Sequence, residues 1–286
     1  MPQLANSLEF IRASALTLEA FAQVYSRSFE DYFYPMTQTA EGFAARIRAE
    51  QLDLYHSAVM LANGESAGQA TIGLRDQRAW CGGFGIVPAW RGAGLGSLLF
   101  NAFLARAREA GATHLVLEAL ARNIRALSVY TNAGMQVTRD LLLLEWAAPT
   151  QEGLAMRTTE PDSDTVWTVI NVAALLQHHD RLHPVSACWS RDVASLLVRR
   201  GLRGLGLGDP NYPDAYILFD VRDDGIGIYD LGALDVQQAA VLLRMLQGSH
   251  KKIRSVNEPA DSPLTQAFLS TGFRETDRQH ELALLL

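Results

Sequence analysis

Two periodicities alternate along the first half of the chain. Phe84-Gly85-Ile86-Val87 is an apolar run that reads as a strand, and Pro88 must end it because proline cannot donate to a sheet ladder. Downstream, Leu98, Leu99, Ala102, Phe103 and Ala107 recur at helical spacing and predict an amphipathic helix with one stripe on the core. His114-Leu115-Val116-Leu117-Glu118 reads as the next strand. A second helix follows, with Asn123 as its N-cap, Ala126, Val129, Tyr130 and Ala133 on one face, and Gly134 as its stop. A strand-like tail, Gln136 to Trp146, closes the half.

The order then recurs. Strand candidates Ile226–Leu231 and Lys252–Val256 flank an apolar helix from Val236 to Leu246. The segment Leu264–Phe273 repeats Ala126–Met135, the two glycines Gly134 and Gly272 lying 138 residues apart, and the tail from Arg274 to Leu286 matches the earlier one. The intervening stretch is rich in proline and polar residues and lacks periodicity. The expected organisation is therefore two tandem α/β (α+β) domains, 1–148 and 165–286, joined by a linker over 149–164. Each is expected to be a mixed, splayed β-sheet flanked by helices.

Between the first strand and its helix stands Arg91-Gly92-Ala93-Gly94-Leu95-Gly96. A strand, a glycine-rich turn and a helix start form a phosphate-binding geometry, because first-turn N–H groups have no partner within the helix. Arg91 adds a planar cation suited to phosphate oxygens. A P-loop is excluded because Gly96 is followed by Ser97-Leu98 with no lysine, and a dinucleotide fingerprint because Ser97 stands where its third glycine belongs.

The run Arg-x-x-Gly-x-Gly after Val87-Pro88 resembles the pyrophosphate loop of the GNAT superfamily of N-acetyltransferases. The segment from Asn123 to Met135 is similar to that family's Asn-x-x-Ala-x-x-x-Tyr-x-x-x-Gly-Phe signature, with Met135 in place of phenylalanine. The resemblance is specific over residues 80–146, topological over 8–79 and partial over 155–286. It implies acetyl-coenzyme A as cosubstrate, held by Arg91, Gly92, Ala93, Gly94, Leu95, Gly96 and Ser97 at the pyrophosphate, with Asn123 and Ala126 at the pantetheine arm. It implies that a backbone N–H at Ile86 or Val87 polarises the thioester carbonyl, and that Tyr130 is the acid for the leaving sulfur. Glu118 is the candidate general base. Glu30 and Asp31, in the aromatic and acidic cluster Phe29–Pro35, are its rivals, and that cluster borders the acceptor in the resembling family.

In the second copy Gly232-Ala233-Leu234-Asp235 replaces the loop, Asp261 stands for Asn123 and Phe268 for Tyr130. That half is expected to be non-catalytic, with Asp235 capping its helix. His179 and His183 lie four apart, but no third ligand stands at a telling spacing, so no metal is expected. Gly204–Gly208 leads into Asp209-Pro210 rather than a helix, which removes a phosphate reading.

Composition narrows the partners. The net charge of −6, with no basic stripe interleaved with aromatics, argues against nucleic acid. No apolar run nears the roughly 20 residues that cross a bilayer, so no membrane is expected. Two cysteines and no charged-then-apolar leader suit a reducing cytoplasm. The expected partner is a small-molecule or peptide amine, and the chain could be a monomer or a homodimer. The rival readings are a non-enzymatic acyl-coenzyme A sensor, and a transferase with a longer acyl donor or an alcohol acceptor.

Overall fold

The computed structural model describes residues 6–149, 166–169 and 171–286. The chain divides into two units: Met1–Thr138 with Glu281–Leu286, and Arg139–His280.

The first unit begins with β1 (Leu8–Arg12) and two helices, α1 (Leu18–Ser28) and α2 (Ala40–Glu50). Thr17 and Thr39 cap these helices, accepting from the N–H groups of Ala20 and Gly42. Strands β2 (Leu52–Ala62), β3 (Glu65–Arg75) and β4 (Arg78–Ile86) follow, and β1 to β4 form an antiparallel run in chain order. Then come α3 (Leu95–Glu109), β5 (His114–Leu120), α4 (Ile124–Asn132) and the start of β6 (Gln136–Ala147). Helix α3 buries Leu95, Leu99, Phe100, Phe103, Leu104 and Ala107. Leu98, assigned to that stripe from its spacing, is instead 46% exposed. The core-facing arc is set by Leu95 and Phe100, which rotates Leu98 off it.

Strand β5 pairs with β4 in parallel over three residue pairs only, from Arg78↔His114 to Trp80↔Val116. Beyond Trp80 the β3–β4 ladder carries an irregularity that leaves Gly82 without an opposite residue. The carbonyl of Gly82 accepts from Arg46 of α2. Past this point β4 and β5 no longer pair.

The second unit repeats the plan. After β7 (Val166–Thr168) and the short helices α5 (Val172–Leu176), α6 (His179–Leu182) and α7 (Val193–Val198) come β8 (Arg203–Asp209), β9 (Tyr212–Arg222) and β10 (Gly225–Ala233). Helix α8 (Val236–Ser249), β11 (Lys252–Pro259), α9 (Thr265–Ser270) and β12 (Arg274–Leu285) follow. As in the first unit, β10 and β11 pair in parallel over three residue pairs, Ile226↔Ile253 to Ile228↔Ser255. Gly204–Gly208 lies within strand β8.

The units differ from the expected 1–148 and 165–286 because the last strand of each repeat serves the other. Residues Arg139–Ala147 of β6 belong to the second unit, where they pair antiparallel with β11. Residues Glu281–Leu286 belong to the first, where Leu286 N–H donates to Thr113 O. Apart from Pro149, the expected linker 149–164 lies outside the described residues. No helix of the described residues is long and apolar enough to cross a membrane.

Leu282 is fully buried in the core formed by Leu115, Leu117 and Phe103, whereas Leu285 is 74% exposed. Leu282→Ala is expected to cost about 2–5 kcal/mol, as large-to-small core changes do. Leu285→Ala should stay within about 0.5 kcal/mol. Urea denaturation of the two full-length variants checks the contrast.

Candidate active site

A cavity of about 960 Å³ opens in the first unit at the C-terminal end of β4. Its floor is the start of α3. Gly92 and Gly94 adopt left-handed backbone, φ 85° and 75°, and a β-carbon on Gly94 would meet nothing within 4 Å. Glycine is required there by conformation rather than by crowding. Gly94 is also the N-cap and has no side chain to offer, so no cap claims the first-turn N–H groups of α3. Those groups and the positive end of the helix face a cavity lined by Gly92, Gly94, Leu95, Gly96 and Ser97.

The β4 edge supplies a second set of donors. Val87 N–H donates to Ala67 O at 2.9 Å. Because hydrogen bonding alternates along an antiparallel ladder, the N–H groups of Ile86 and Phe84 face away from β3. They face the side from which β5 has departed. The expected polarising donor is therefore available at Ile86 and spent at Val87; Phe84 offers another, which the sequence reading missed.

Arg91 does more than supply charge. Its Nε donates to Ile86 O at 2.8 Å, and its Nη2 donates to Glu30 O at 2.6 Å and Ser28 O at 3.3 Å. It ties the segment after α1 to the glycine loop, which brings Glu30, Asp31 and Phe33 onto the cavity wall. Rings meet edge to face along this segment, Phe29 with Tyr32 and Tyr32 with Phe33, each at 5.2 Å. Both Glu30 and Asp31 are exposed.

Asn123 caps α4 through its side-chain oxygen, which accepts from Ala126 N–H at 3.3 Å. Its side-chain amide is left to face the cavity, which Asn123 and Ala126 both line. Arg122 and Arg125 line it too. The guanidinium of Arg122 sits 4.4 Å from the ring of Phe33. The sequence signal for both was present, two arginines bracketing the capping Asn123, and was passed over.

Four expected site residues do not line this cavity: Val87, Ala93, Glu118 and Tyr130. Ala93 packs against the hydrophobic core. Tyr130 is buried, its ring 5.7 Å from that of Phe84, which lines the cavity, and 5.0 Å from that of Phe100. Burial holds the Tyr130 hydroxyl well above its ordinary pKa, helped by Cys81 and Tyr32 nearby, so it keeps its proton. Glu118 sits on β5 just past the last β4–β5 pair. Its Oε2 accepts from the Trp80 indole at 2.6 Å, and its Oε1 is buried without a hydrogen-bond partner. Burial raises its pKa to about 7, against the lowering effect of the indole N–H.

In the second unit Asp235 caps α8 through Gln238 N–H at 2.8 Å, in place of a glycine loop. The histidine pair is joined by a residue that spacing could not reveal. His183 Nε2 lies 3.0 Å from Oδ1 of Asp230, 47 residues along the chain.

Residues 18–135 match the Acetyltransferase (GNAT) family. No curated protein sequence matches the chain significantly. Among solved structures, a GCN5-related N-acetyltransferase from Sphaerobacter thermophilus superposes with a TM-score of 0.67 at 15% identity, covering 99% of this chain and 96% of that one. A tandem GNAT protein from the clavulanic acid biosynthesis pathway superposes at 0.66 and 13% identity, covering 97% and 98%. A putative acetyltransferase from Pyrococcus horikoshii gives 0.67 and 15%, covering 99% and 91%. The family match covers the elements that build the cavity, and the fold match extends through the second unit. Residues 18–135 are thus similar to the GNAT acetyltransferase family, and the chain as a whole has the fold of the tandem GNAT protein.

Proposed function

We propose that the first unit transfers the acetyl group of acetyl-coenzyme A to an amine by direct attack, and that the second unit is non-catalytic. The observation that carries the reading is the uncapped start of α3, opening into the same cavity as the free N–H groups of β4. The residues fit the cosubstrate. A left-handed Gly94 lets an anion approach the backbone, and Arg125, with no hydrogen bond or ion pair among the described residues, supplies charge at the rim. When bound, acetyl-coenzyme A supplies an acetyl thioester.

The residues of the chain divide the remaining work. Gly94 to Ser97 hold the pyrophosphate, and the amide of Asn123 holds the pantetheine arm. The N–H of Ile86 or Phe84 donates to the thioester oxygen, a contribution of roughly 3 kcal/mol for such a donor. Glu118 takes the proton the amine loses; a carboxylate with a pKa of about 7 is well matched to that task. Tyr130 is the proton source for the departing sulfur. Glu30, Asp31 and the rings of Phe29 to Phe33 favour a cationic amine as acceptor.

Gly94→Asp puts a β-carbon on left-handed backbone and a carboxylate at the anion site. Calorimetric binding of acetyl-coenzyme A to the full chain is expected to fall at least a hundredfold, about 2.8 kcal/mol. Unchanged affinity would place the cosubstrate elsewhere. Glu118→Gln is expected to lower kcat/KM by roughly 10²–10⁴. The wild-type rate should rise with pH through about 7 as Glu118 loses its proton, and the variant should lack that limb. Tyr130→Phe is expected to slow turnover about ten- to a hundredfold. If thiol release is undiminished in both variants, neither residue takes part in the chemistry.

A further inference from the structure

We propose that Glu281 is a positioning residue for Glu118: the last strand of the chain returns to the first unit and sets a second carboxylate beside the one that takes the proton of the amine. The inference rests on the reading of Glu118 as the base. Glu281 belongs to the stretch of β12 that forms part of the first unit.

Two observations place it. Strand β12 lies beside β5 in the sheet, and Leu286 N–H donates to Thr113 O at 2.9 Å. The equivalent strands of the second unit, β11 and β6, pair antiparallel. In that arrangement, five residues forward from Thr113 and five back from Leu286 lead to Glu118 and Glu281, which stand opposite each other. The faces agree. Leu115, Leu117 and Leu282 share one core, so alternation puts Glu118 and Glu281 together on the other face of the sheet. Thr138 Oγ1 donates to Glu281 O at 3.1 Å and fixes the backbone there.

Like charges directly opposite on paired strands, with β-carbons about 4.5–5.5 Å apart, disfavour one another. Glu281 is only partly buried, whereas Oε1 of Glu118 is buried without a hydrogen-bond partner, so the proton settles on Glu118. Burial is the chief reason its pKa is raised to about 7, and among its charged neighbours Glu281 raises it most. The other groups facing Glu118 do not supply this effect. The Trp80 indole of β4 donates to it and acts in the opposite direction. The Cys81 thiol, pushed up to about 12 by burial, is uncharged at neutral pH. Glu50 of α2 acts in the same direction as Glu281, but it pairs with Arg46 at 2.6 Å, which offsets its charge.

The test uses the full-length chain, labelled with ¹³C at the glutamate side-chain carboxyls and titrated by NMR, the Glu118 resonance being the one missing from Glu118→Gln. Its midpoint near 7 is expected to fall by about 0.5–1 unit in Glu281→Gln, about a three- to tenfold loss of proton affinity. Glu281→Asp keeps the charge and should restore most of it. Because the base must be unprotonated to act, the acid limb of kcat/KM should move to lower pH by the same amount in Glu281→Gln. A midpoint that does not move, or that moves equally in Glu281→Asp, overturns the proposal and leaves Glu281 a packing residue. A midpoint that moves while the rate limb stays put instead removes Glu118 as the base, and the proposal with it.

Discussion

The site depends on how short the parallel ladder between β4 and β5 is. Three residue pairs hold the strands together, and beyond Trp80 and Val116 they part. On the proposed reading, the backbone donors and helix starts that receive the cosubstrate sit in that opening. The N–H groups of Phe84 and Ile86 have lost the strand that would have accepted from them, and α3 and α4 both begin at the parted end. A regular sheet would have satisfied those donors internally. The irregularity at Gly82 is what lets β4 turn away, and Arg46 holds its displaced carbonyl.

The second unit tests this constraint by keeping the geometry and changing its contents. Its ladder between β10 and β11 is again three pairs long, and β10 again carries an irregularity, at Tyr229. The residue after the irregularity is Gly83 in the first unit and Asp230 in the second. A side chain on Gly83 would meet Tyr25 within 2.7 Å. Asp230 is instead enclosed by Tyr216, His183 and Arg191, and His183 and Arg191 hold its pKa down to about 2 against the cost of burial. A buried charge is tolerable only when it is paired and hydrogen-bonded, so the second copy has exchanged an opening for a closed polar network.

The sequence made the local features legible and left the distant ones hidden. The glycine loop, the Asn123 cap, the Gly134 stop and the repeat at Gly272 all arise from chemistry within a few residues, and each stands where its pattern placed it. What escaped depends on partners far along the chain. No spacing rule could tell that Arg91 would be held by carbonyls at 28 and 30, or that Val87 N–H would be spent on Ala67. The return of Glu281–Leu286 to the first unit escaped for the same reason, since two tails of similar pattern can be exchanged without altering either. Asp230 could not be joined to His179 and His183 until β10 had been folded against α6.

The carboxylates around the first site also divide by environment in a way that composition conceals. Glu30 and Asp31 are exposed on the cavity wall, where ionised groups can attract a cationic amine at little desolvation cost. Glu118 has the opposite balance. Burial makes its charged form costly, the Trp80 indole restores part of that loss, and the result is a group poised near 7 with one oxygen unpaired. On the proposed reading the two kinds of carboxylate act in sequence. The exposed pair selects the acceptor by charge, and the buried one removes its proton, which no single environment could do equally well.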